Sequence, residues 1–321
     1  MMEPLMGAKV DTQFGGVRGG GTDLATRPVR VFLHWLKIKF KSGALAFVDI
    51  TAAFYHILRQ LVMPLPFNDA GLSWLFQRLN IPTEAIHSLR ERLGQQDLLR
   101  QAGASEHLRT YVSELHDGTH FYTLGLGSIA KTQLGTRPGD PMADTVFNFI
   151  MAEAVKEIRD KQKNGNRLPS LGDTETAATS FAMDASFADD YVGFLTATTA
   201  QGCVAKVKAS IAIVDDVFTT KGMKPNYKEG KTSVLLRLYG PGASESKRQV
   251  FIHDKHEMQF EGATRGKLVV KVVHSYKHFG SEVTDNAANL KEVHCRKNAS
   301  TAALRPLRKP LFTNKIFARD A

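Results

Sequence analysis

Cysteine is nearly absent from this chain, and none of its apolar runs is long. Its two cysteines, Cys203 and Cys295, are too few and too far apart to indicate a disulfide framework or a zinc module. No apolar run reaches the roughly 18 residues of a membrane span. The opening residues, MMEPLMGAKVDTQFGG, lack the apolar core flanked by basic residues of an export signal. We therefore expect an intracellular protein that is neither secreted nor inserted in a membrane.

Acidic residues are also in short supply, above all at the C-terminal end. The chain has 42 Lys and Arg against 32 Asp and Glu, a formal net charge of +10. Near the C-terminus, Asp320 is the one acid among seven bases, namely Arg296, Lys297, Arg305, Arg308, Lys309, Lys315 and Arg319. This balance favours a polyanionic partner, most simply nucleic acid, although an acidic membrane surface has the same attraction. The alternative interpretation is an ordinary soluble basic surface.

Two short apolar runs each end in aspartate. Residues 44–48 (ALAFV) precede Asp49, and the segment SFADDYV sets Asp189 and Asp190 between two runs that are typical of a buried hairpin. Ionised carboxylates are costly to hold together in a partly buried place unless a cation neutralises them. If the two strands are neighbours, Asp49 and Asp189 lie at one sheet edge and can hold two hard cations about 4 Å apart, as in phosphoryl transfer.

The aspartate segments, and two further segments, also have interpretations that involve no function. SFADDYV by itself is also compatible with a polar surface turn. The pair Asp215-Asp216, inside a predicted helix, is interpreted as a solvated face. The glycine-rich stretch 12–23, TQFGGVRGGGTD, matches no phosphate-binding fingerprint and is interpreted as a flexible connector.

Residue periodicity predicts a mixture of helices and strands. Helices are expected over 27–41, 51–65, 142–160 and 199–221, with several short ones between 69 and 115. Strands are expected over 44–48, 121–125 and 232–239, with two more within 259–283. Residues 163–176 are expected to form a polar loop.

Five motifs follow one another along the chain: VDITAAF at 48–54; GTRPGDP at 135–141 with Phe147-Asn148; FADD at 187–190; GMKPN at 222–226 with Lys231-Thr232; and YKHFG at 276–280. In this order they resemble the palm of a reverse transcriptase of the non-LTR retrotransposon type. Upstream, Gln13-Phe14-Gly15 looks like the segment that precedes the first motif in that family. The likeness covers about residues 13–285, and five motifs in the right order are much more specific than any one alone.

The resemblance implies a fold and a domain division. The fold would be α/β (α+β), a right-hand polymerase palm whose antiparallel sheet is backed by helices, with partial fingers and thumb. Residues 1–48 would be partial fingers leading into the palm, 49–285 the palm with a helical insert at about 69–118, and 286–321 a basic segment that starts a thumb.

The resemblance also implies an activity, RNA-directed DNA polymerisation with two Mg²⁺ (or Mn²⁺) ions. Asp49, Asp189 and Asp190 would bind the metal ions. Lys231 would donate a proton to the departing pyrophosphate. The alternative is that Lys231 is an ordinary exposed lysine between a helix and a strand, with no part in catalysis. The partners would be an RNA template, a DNA primer and deoxynucleoside triphosphates, with no membrane, in the cytoplasm or the nucleus, and further domains of a larger polyprotein are possible partners.

Other residues would contact the substrates. Phe54 would be a steric gate whose ring lies under the sugar and leaves no room for a 2′-hydroxyl; the alternative is an apolar residue on the inner face of a helix. Arg137, Gly139 and Phe187 would contact the nucleotide or the template. Phe279 and Gly280 would grip the primer end.

Several departures from the family pattern keep other functions open. Pro138 stands where the family has glutamine, so a side-chain amide and a backbone N–H are both lost. Ala143-Asp144 replaces a small-residue–proline pair, and the spacing from Asn226 to Lys231 is longer than usual. With fingers and thumb that are both short, a catalytically inactive, nucleic-acid-binding relic is one alternative. An RNA-directed RNA polymerase is another, and Phe54 argues against it.

Overall fold

The computed structural model describes residues 2–16, 19–63, 65, 73, 91, 97–122, 125, 127, 129–132, 135–136, 140, 142–165 and 183–312. Most of the predicted loop 163–176 and about half of the predicted insert 69–118 lie outside these ranges, as do Arg137, Pro138 and Gly139. None of the helices within these ranges combines the length and the apolar character that a membrane span requires.

A six-stranded sheet forms the centre of the fold, with the strand order β5-β6-β1-β8-β10-β9. Its strands are β1 (Ser42–Val48), β5 (Asp184–Phe187), β6 (Asp190–Ala197), β8 (Ser233–Arg237), β9 (Glu257–Gly262) and β10 (Gly266–Val273). Neighbouring strands run antiparallel except β8 and β10, which are parallel. The fold is therefore mixed α/β with a mixed sheet, and the expectation of a wholly antiparallel sheet is wrong at this pair.

Helices cover both faces of the sheet. The longer ones are α2 (Thr22–Ile38), α5 (Glu106–His116), α6 (Ala143–Asn164), α7 (Ala200–Thr220) and α9 (Leu290–Phe312); the shorter ones are α1 (Met2–Ala8), α3 (Ala53–His56), α4 (Leu98–Gln101) and α8 (Ala243–Arg248). A π-helical turn, Gln249–His253, follows α8. The predicted helices at 27–41, 142–160 and 199–221 correspond to α2, α6 and α7.

Alternation along β1 divides the core into two layers. Leu45 and Phe47 pack with α2 in one buried cluster, whereas Ala44 and Ala46 pack with α7 in another. Successive side chains of a strand point to opposite faces, so a fully buried strand needs helices on both sides. Helix α6 packs on α7 and α1, beside these layers.

Short strands pair outside the central sheet. They are β2 (Ile50–Thr51) with β7 (Lys224–Pro225), β3 (His120–Tyr122) with β4 (Ile129–Lys131), and β11 (Ser275–His278) with β12 (Ser281–Thr284). Residues 259–283 therefore contain parts of four strands, where two were expected, because the tight turns after Gly262 and His278 divide the alternating pattern.

The helix expected over 51–65 is wrong beyond its first turn. After α3 the chain forms only a 3₁₀ turn, Arg59–Leu61. Tertiary hydrogen bonds replace the helical ones here, since the Leu58 N–H donates to the Lys221 carbonyl and the Ile57 carbonyl accepts from the Gly135 N–H. The buried Arg59 guanidinium completes the exchange by donating to the Thr132 carbonyl at 2.6 Å.

The interpretation of Asp215-Asp216 as a solvated pair is also wrong. Asp215 is fully buried and pairs with the Arg265 guanidinium at 2.9 Å, and the Tyr227 hydroxyl donates to the same carboxylate at 2.9 Å. Asp216 accepts from the backbone N–H groups of Ala263 and Thr264. The two aspartates therefore attach α7 to the β9–β10 turn.

Candidate active site

The strand register brings the three candidate carboxylates to one edge of the sheet. β1 and β6 are antiparallel neighbours, and Val48, the last residue of β1, pairs with Tyr191. Asp49 therefore follows β1 opposite the start of β6, where Asp190 stands. Asp189 precedes it in the two-residue turn between β5 and β6, since Phe187 pairs with Asp190 across that turn.

The turn itself has a constrained backbone. Ala188 has a φ of 50°, in the left-handed region that residues with a Cβ seldom adopt. Such a conformation costs about 1–3 kcal/mol and persists only where the surroundings hold it. The aspartates are thus presented on a short, strained turn rather than on a mobile loop.

Negative charge at this edge is only partly compensated. Burial, and then the nearby carboxylates of Asp189 and Asp49, raise the pKa of Asp190 to about 6. Burial likewise raises the pKa of Asp189, with the Asp49 charge adding to the effect. The Lys231 ammonium opposes both shifts without cancelling them.

Asp49 is held by the loop that follows β7. Its Oδ1 lies 3.2 Å from the Lys231 ammonium, and its Oδ2 accepts from the Asn226 side-chain amide at 3.1 Å. The Asn226 N–H donates to the Asp49 carbonyl at 2.9 Å, and the Thr232 hydroxyl accepts from the Asp49 N–H at 3.1 Å. Asn226 and Thr232 were not among the expected site residues, although both stand in the fourth motif.

The carboxylates of Asp49, Asp189 and Asp190 are the kind of ligand that a divalent cation binds. Three carboxylates offer only oxygen ligands, which Mg²⁺ and Mn²⁺ prefer, and the raised pKa values show negative charge that a cation would neutralise. Yet across the described residues no three Asp, Glu, His or Cys side chains converge closely enough to form a metal site. Both carboxylate oxygens of Asp49 are in contact with Lys231 and Asn226 instead.

Phe54 lies on α3, half-buried, with its ring 4.9 Å from that of Phe147 on α6. This contact fits the packing alternative as well as the gate. The start of the second motif lies against the same helix, since the Thr136 N–H donates to the Phe54 carbonyl at 2.6 Å. A Cβ on Gly135, whose φ is 74°, would stand 2.6 Å from that carbonyl oxygen.

The β11–β12 hairpin packs against the acidic edge. The Phe279 ring meets the Phe187 ring edge-on at 5.5 Å, so the expected primer-grip residue touches the turn that carries Asp189. Phe279 and Gly280 form the hairpin turn, with φ values of 49° and 77°. Tyr276 stacks on Phe47 at 4.3 Å, and its pKa is raised by burial and then by the charges of Asp190 and Asp49.

His278 occupies the interior of the same hairpin. It is 3% exposed, its ring lies 5.0 Å from Phe47, and neither ring nitrogen has a hydrogen-bond partner among the described residues. Burial lowers its pKa to about 3. The ring is therefore neutral at physiological pH and serves as packing for the strand that ends in Asp49.

The N-terminal segment Thr12–Gly16 lies on the other side of the turn. Gln13 forms a parallel bridge with Ser186, where the Phe14 N–H donates to the Ser186 carbonyl and the Ser186 N–H donates to the Thr12 carbonyl. Hydrogen bonds to β5 therefore hold part of the stretch that was interpreted as a flexible connector. The motif Gln13-Phe14-Gly15 was the available signal, but it did not indicate this contact.

No protein-family model matches the chain, and no curated protein matches it significantly.

Proposed function

We propose that this chain is an RNA-directed DNA polymerase domain that adds deoxynucleotides to a primer 3′ end. The observation that carries the proposal is the placement of Asp49, Asp189 and Asp190 at adjacent strand ends, after β1 and at the turn before β6. The resemblance of the five motifs supplies the chemistry. The proposal also includes a right-hand palm, in which the basic helix α9 begins a thumb.

In this proposal the carboxylates of Asp49, Asp189 and Asp190 would hold two divalent cations. The chemistry that such cations would supply is a lower pKa for the attacking hydroxyl and neutralisation of the triphosphate. Phe54 excludes a 2′-hydroxyl from the sugar site, with Phe147 supporting its ring. Phe187 contacts the nucleotide, and the turn Phe279-Gly280 holds the primer end beside it.

Lys231 has two roles in the proposal. Its ammonium neutralises part of the acidic edge before substrate binds, and its Nζ then donates a proton to the departing pyrophosphate. A lysine that is half-exposed has the freedom to leave Asp49 and reach a phosphate. Arg137 and Gly139 keep their proposed contacts with nucleotide and template, although both lie outside the described residues.

Primer extension on an RNA template, with Mg²⁺ or Mn²⁺, tests this function. We expect the wild-type chain to incorporate deoxynucleotides and Asp189→Asn to lose activity by about 1,000-fold. Asp160→Asn is the matched control, since Asp160 is exposed on α6 and lies outside the five motifs.

The same assay separates the alternatives. Binding of primer–template without incorporation by any variant would identify an inactive relic and overturn the proposal. Preferential use of ribonucleotides would indicate an RNA polymerase instead.

A further inference from the structure

We infer that Gly15 is a positioning residue for the acidic turn, and that the segment Thr12–Gly16 fixes where Asp189 and Asp190 stand. This inference rests on the proposed function, because it assigns the segment a part in cation binding and catalysis. Its evidence is the packing of Gly15 against the backbone of the turn.

The contact is too close for any other residue. A Cβ on Gly15 would lie 2.4 Å from the Ala188 backbone nitrogen and 3.2 Å from the Phe187 carbonyl carbon. Ordinary van der Waals contacts of a Cβ begin at about 3.4 Å, so the turn would have to move by about 1 Å. The obstacle is backbone, which cannot rotate away as the end of a flexible side chain does.

Buried contacts anchor the segment, so it cannot yield instead. The Thr12 hydroxyl donates to Asp184, which also binds the Arg159 guanidinium through both its oxygens at 2.8 Å. The Gln13 side-chain amide donates to the Asn148 carbonyl and to its Oδ1, both at 3.0 Å. Segment, β5 and α6 are thereby joined into one unit.

The neighbouring glycine is confined as well. A Cβ on Gly16, whose φ is 72°, would lie 2.0 Å from the Asn148 side-chain nitrogen. The two glycines thus occupy a narrow space between α6 and the turn. Rigid support of this kind is what a strained turn needs, since Ala188 keeps its left-handed backbone only if its surroundings impose it.

The position of the turn matters because catalysis and cation binding both depend on it. A displacement of 1 Å at a reacting group can cost about 100-fold in rate. A displaced turn would also separate Asp189 and Asp190 from Asp49 and weaken the binding of a shared cation.

Gly15→Ala tests the inference against Gly21→Ala, a control whose Cβ would meet no atom within 4 Å. The quantities to be measured are the Mn²⁺ affinity by titration, kcat and the nucleotide KM by primer extension, and the melting temperature by thermal unfolding. We expect Gly15→Ala to lower kcat by about 100-fold and Mn²⁺ affinity by about tenfold, with nucleotide KM little changed. Gly21→Ala should match the wild-type chain.

A purely structural role predicts a different result. If activity and Mn²⁺ affinity return when Gly15→Ala is assayed well below its melting temperature, or if it matches Gly21→Ala throughout, the inference is overturned. Should Gly15→Ala not fold, Gln13→Met replaces it as the test variant. It removes only the side-chain hydrogen bonds to Asn148, and we expect smaller losses of both kcat and Mn²⁺ affinity.

Failure of the proposed function gives a separate outcome. A wild-type chain that binds Mn²⁺ but incorporates nothing overturns the polymerase and leaves the affinity comparison to decide on Gly15. A wild-type chain that neither binds Mn²⁺ nor incorporates overturns both.

Discussion

Asp49 is the residue whose environment is most informative about the candidate site. Each of its carboxylate oxygens already has a partner, Lys231 on one side and Asn226 on the other. A cation that binds Asp49 therefore competes with an ammonium group for the same oxygen. The apparent affinity for the cation is lowered by the cost of displacing Lys231.

Replacing Lys231 should raise cation affinity even if it lowers turnover. We expect Lys231→Met to bind Mn²⁺ about tenfold more tightly than the wild-type chain, because one competing positive charge is removed. Isothermal titration calorimetry measures this directly. Lys228→Met is the control, since Lys228 is an exposed lysine of the same loop with no ion pair to Asp49. Equal affinities for the two variants would contradict the competition.

An apolar run that stops at aspartate indicates a carboxylate at a strand end, and Asp49 and Asp189 do follow neighbouring strands of the sheet. The roles of these carboxylates stay predictions. Reasoning from the sequence missed Asn226 and Gly15, whose roles depend on backbone proximity to residues 177 and 173 positions away. It also misread Asp215, because its partner Arg265 lies 50 residues further along the chain.

At the scale of elements, a buried ion pair connects α6 and α7. Lys221, which follows α7 and is 2% exposed, donates to Glu157 of α6 at 2.7 Å. Burial raises the pKa of Glu157, but Lys221 and Lys161 outweigh it and lower the value from 4.5 to about 2. The pair therefore holds the Glu157 carboxylate in its ionised form.

This pair should make stability depend on acid pH. The unfolded carboxyl titrates near 4.5 and the folded one near 2, so the stabilisation is fully present above pH 4.5 and is lost as pH falls towards 2. We expect about 3 kcal/mol of unfolding free energy to disappear across this window, at about 1.4 kcal/mol per pKa unit. Urea unfolding at several pH values measures it.

Glu157→Gln should abolish this dependence and leave Lys221 buried without its carboxylate, at a cost of about 3–5 kcal/mol at neutral pH. Glu153→Gln, one turn earlier on α6, is the control and should unfold as the wild-type chain does. An unchanged pH profile in Glu157→Gln would contradict the assignment.

Elements with strong periodicity were predictable, and elements defined by tertiary hydrogen bonds were not. The helices α2, α6 and α7 have long apolar faces, and the sequence places them within a few residues. The stretch after α3 has similar composition, yet its Leu58 N–H and Ile57 carbonyl bind Lys221 and Gly135, and its remaining local hydrogen bonds form a 3₁₀ turn. The parallel pairing of β8 with β10 was also out of reach, since strand composition does not encode the partner.

At the scale of the whole molecule, the long helix α9 is the most exposed of the helices and strands that the structure describes. At 1.5 Å per residue its 23 residues span about 35 Å, and of its side chains from 290 to 307 only Glu292 is half-buried. Lys291 and Arg296 pair with Glu282 and Glu292, whereas Lys297 and Arg305 have no ion pair among the described residues. Those two charges are available to a polyanion.

Salt dependence tests whether α9 contacts nucleic acid. We expect Lys297→Ala/Arg305→Ala to reduce the slope of log affinity against log salt by about 0.7–0.9 per side chain, one released counterion each. Fluorescence anisotropy with a labelled primer–template measures the slope. Lys247→Ala/Arg248→Ala removes the same charge from α8 and should leave the slope unchanged. The same reduction in both variants would show that net charge alone acts.

The segment Thr12–Gly16, which bridges to β5 at Ser186, also affects how this molecule contacts its own copies. β5 is an edge strand of the central sheet, and an exposed edge strand is a template for intermolecular pairing and aggregation. The hydrogen bonds of Thr12 and Phe14 to Ser186 occupy part of that edge. At the opposite edge, β9 turns Glu257, Gln259 and Glu261 outward in alternation, and Glu257 pairs with Lys271 of β10. Charged side chains on an edge strand disfavour pairing with a second copy. One edge strand is thus partly covered and the other carries charged side chains, which disfavours edge-to-edge association at both.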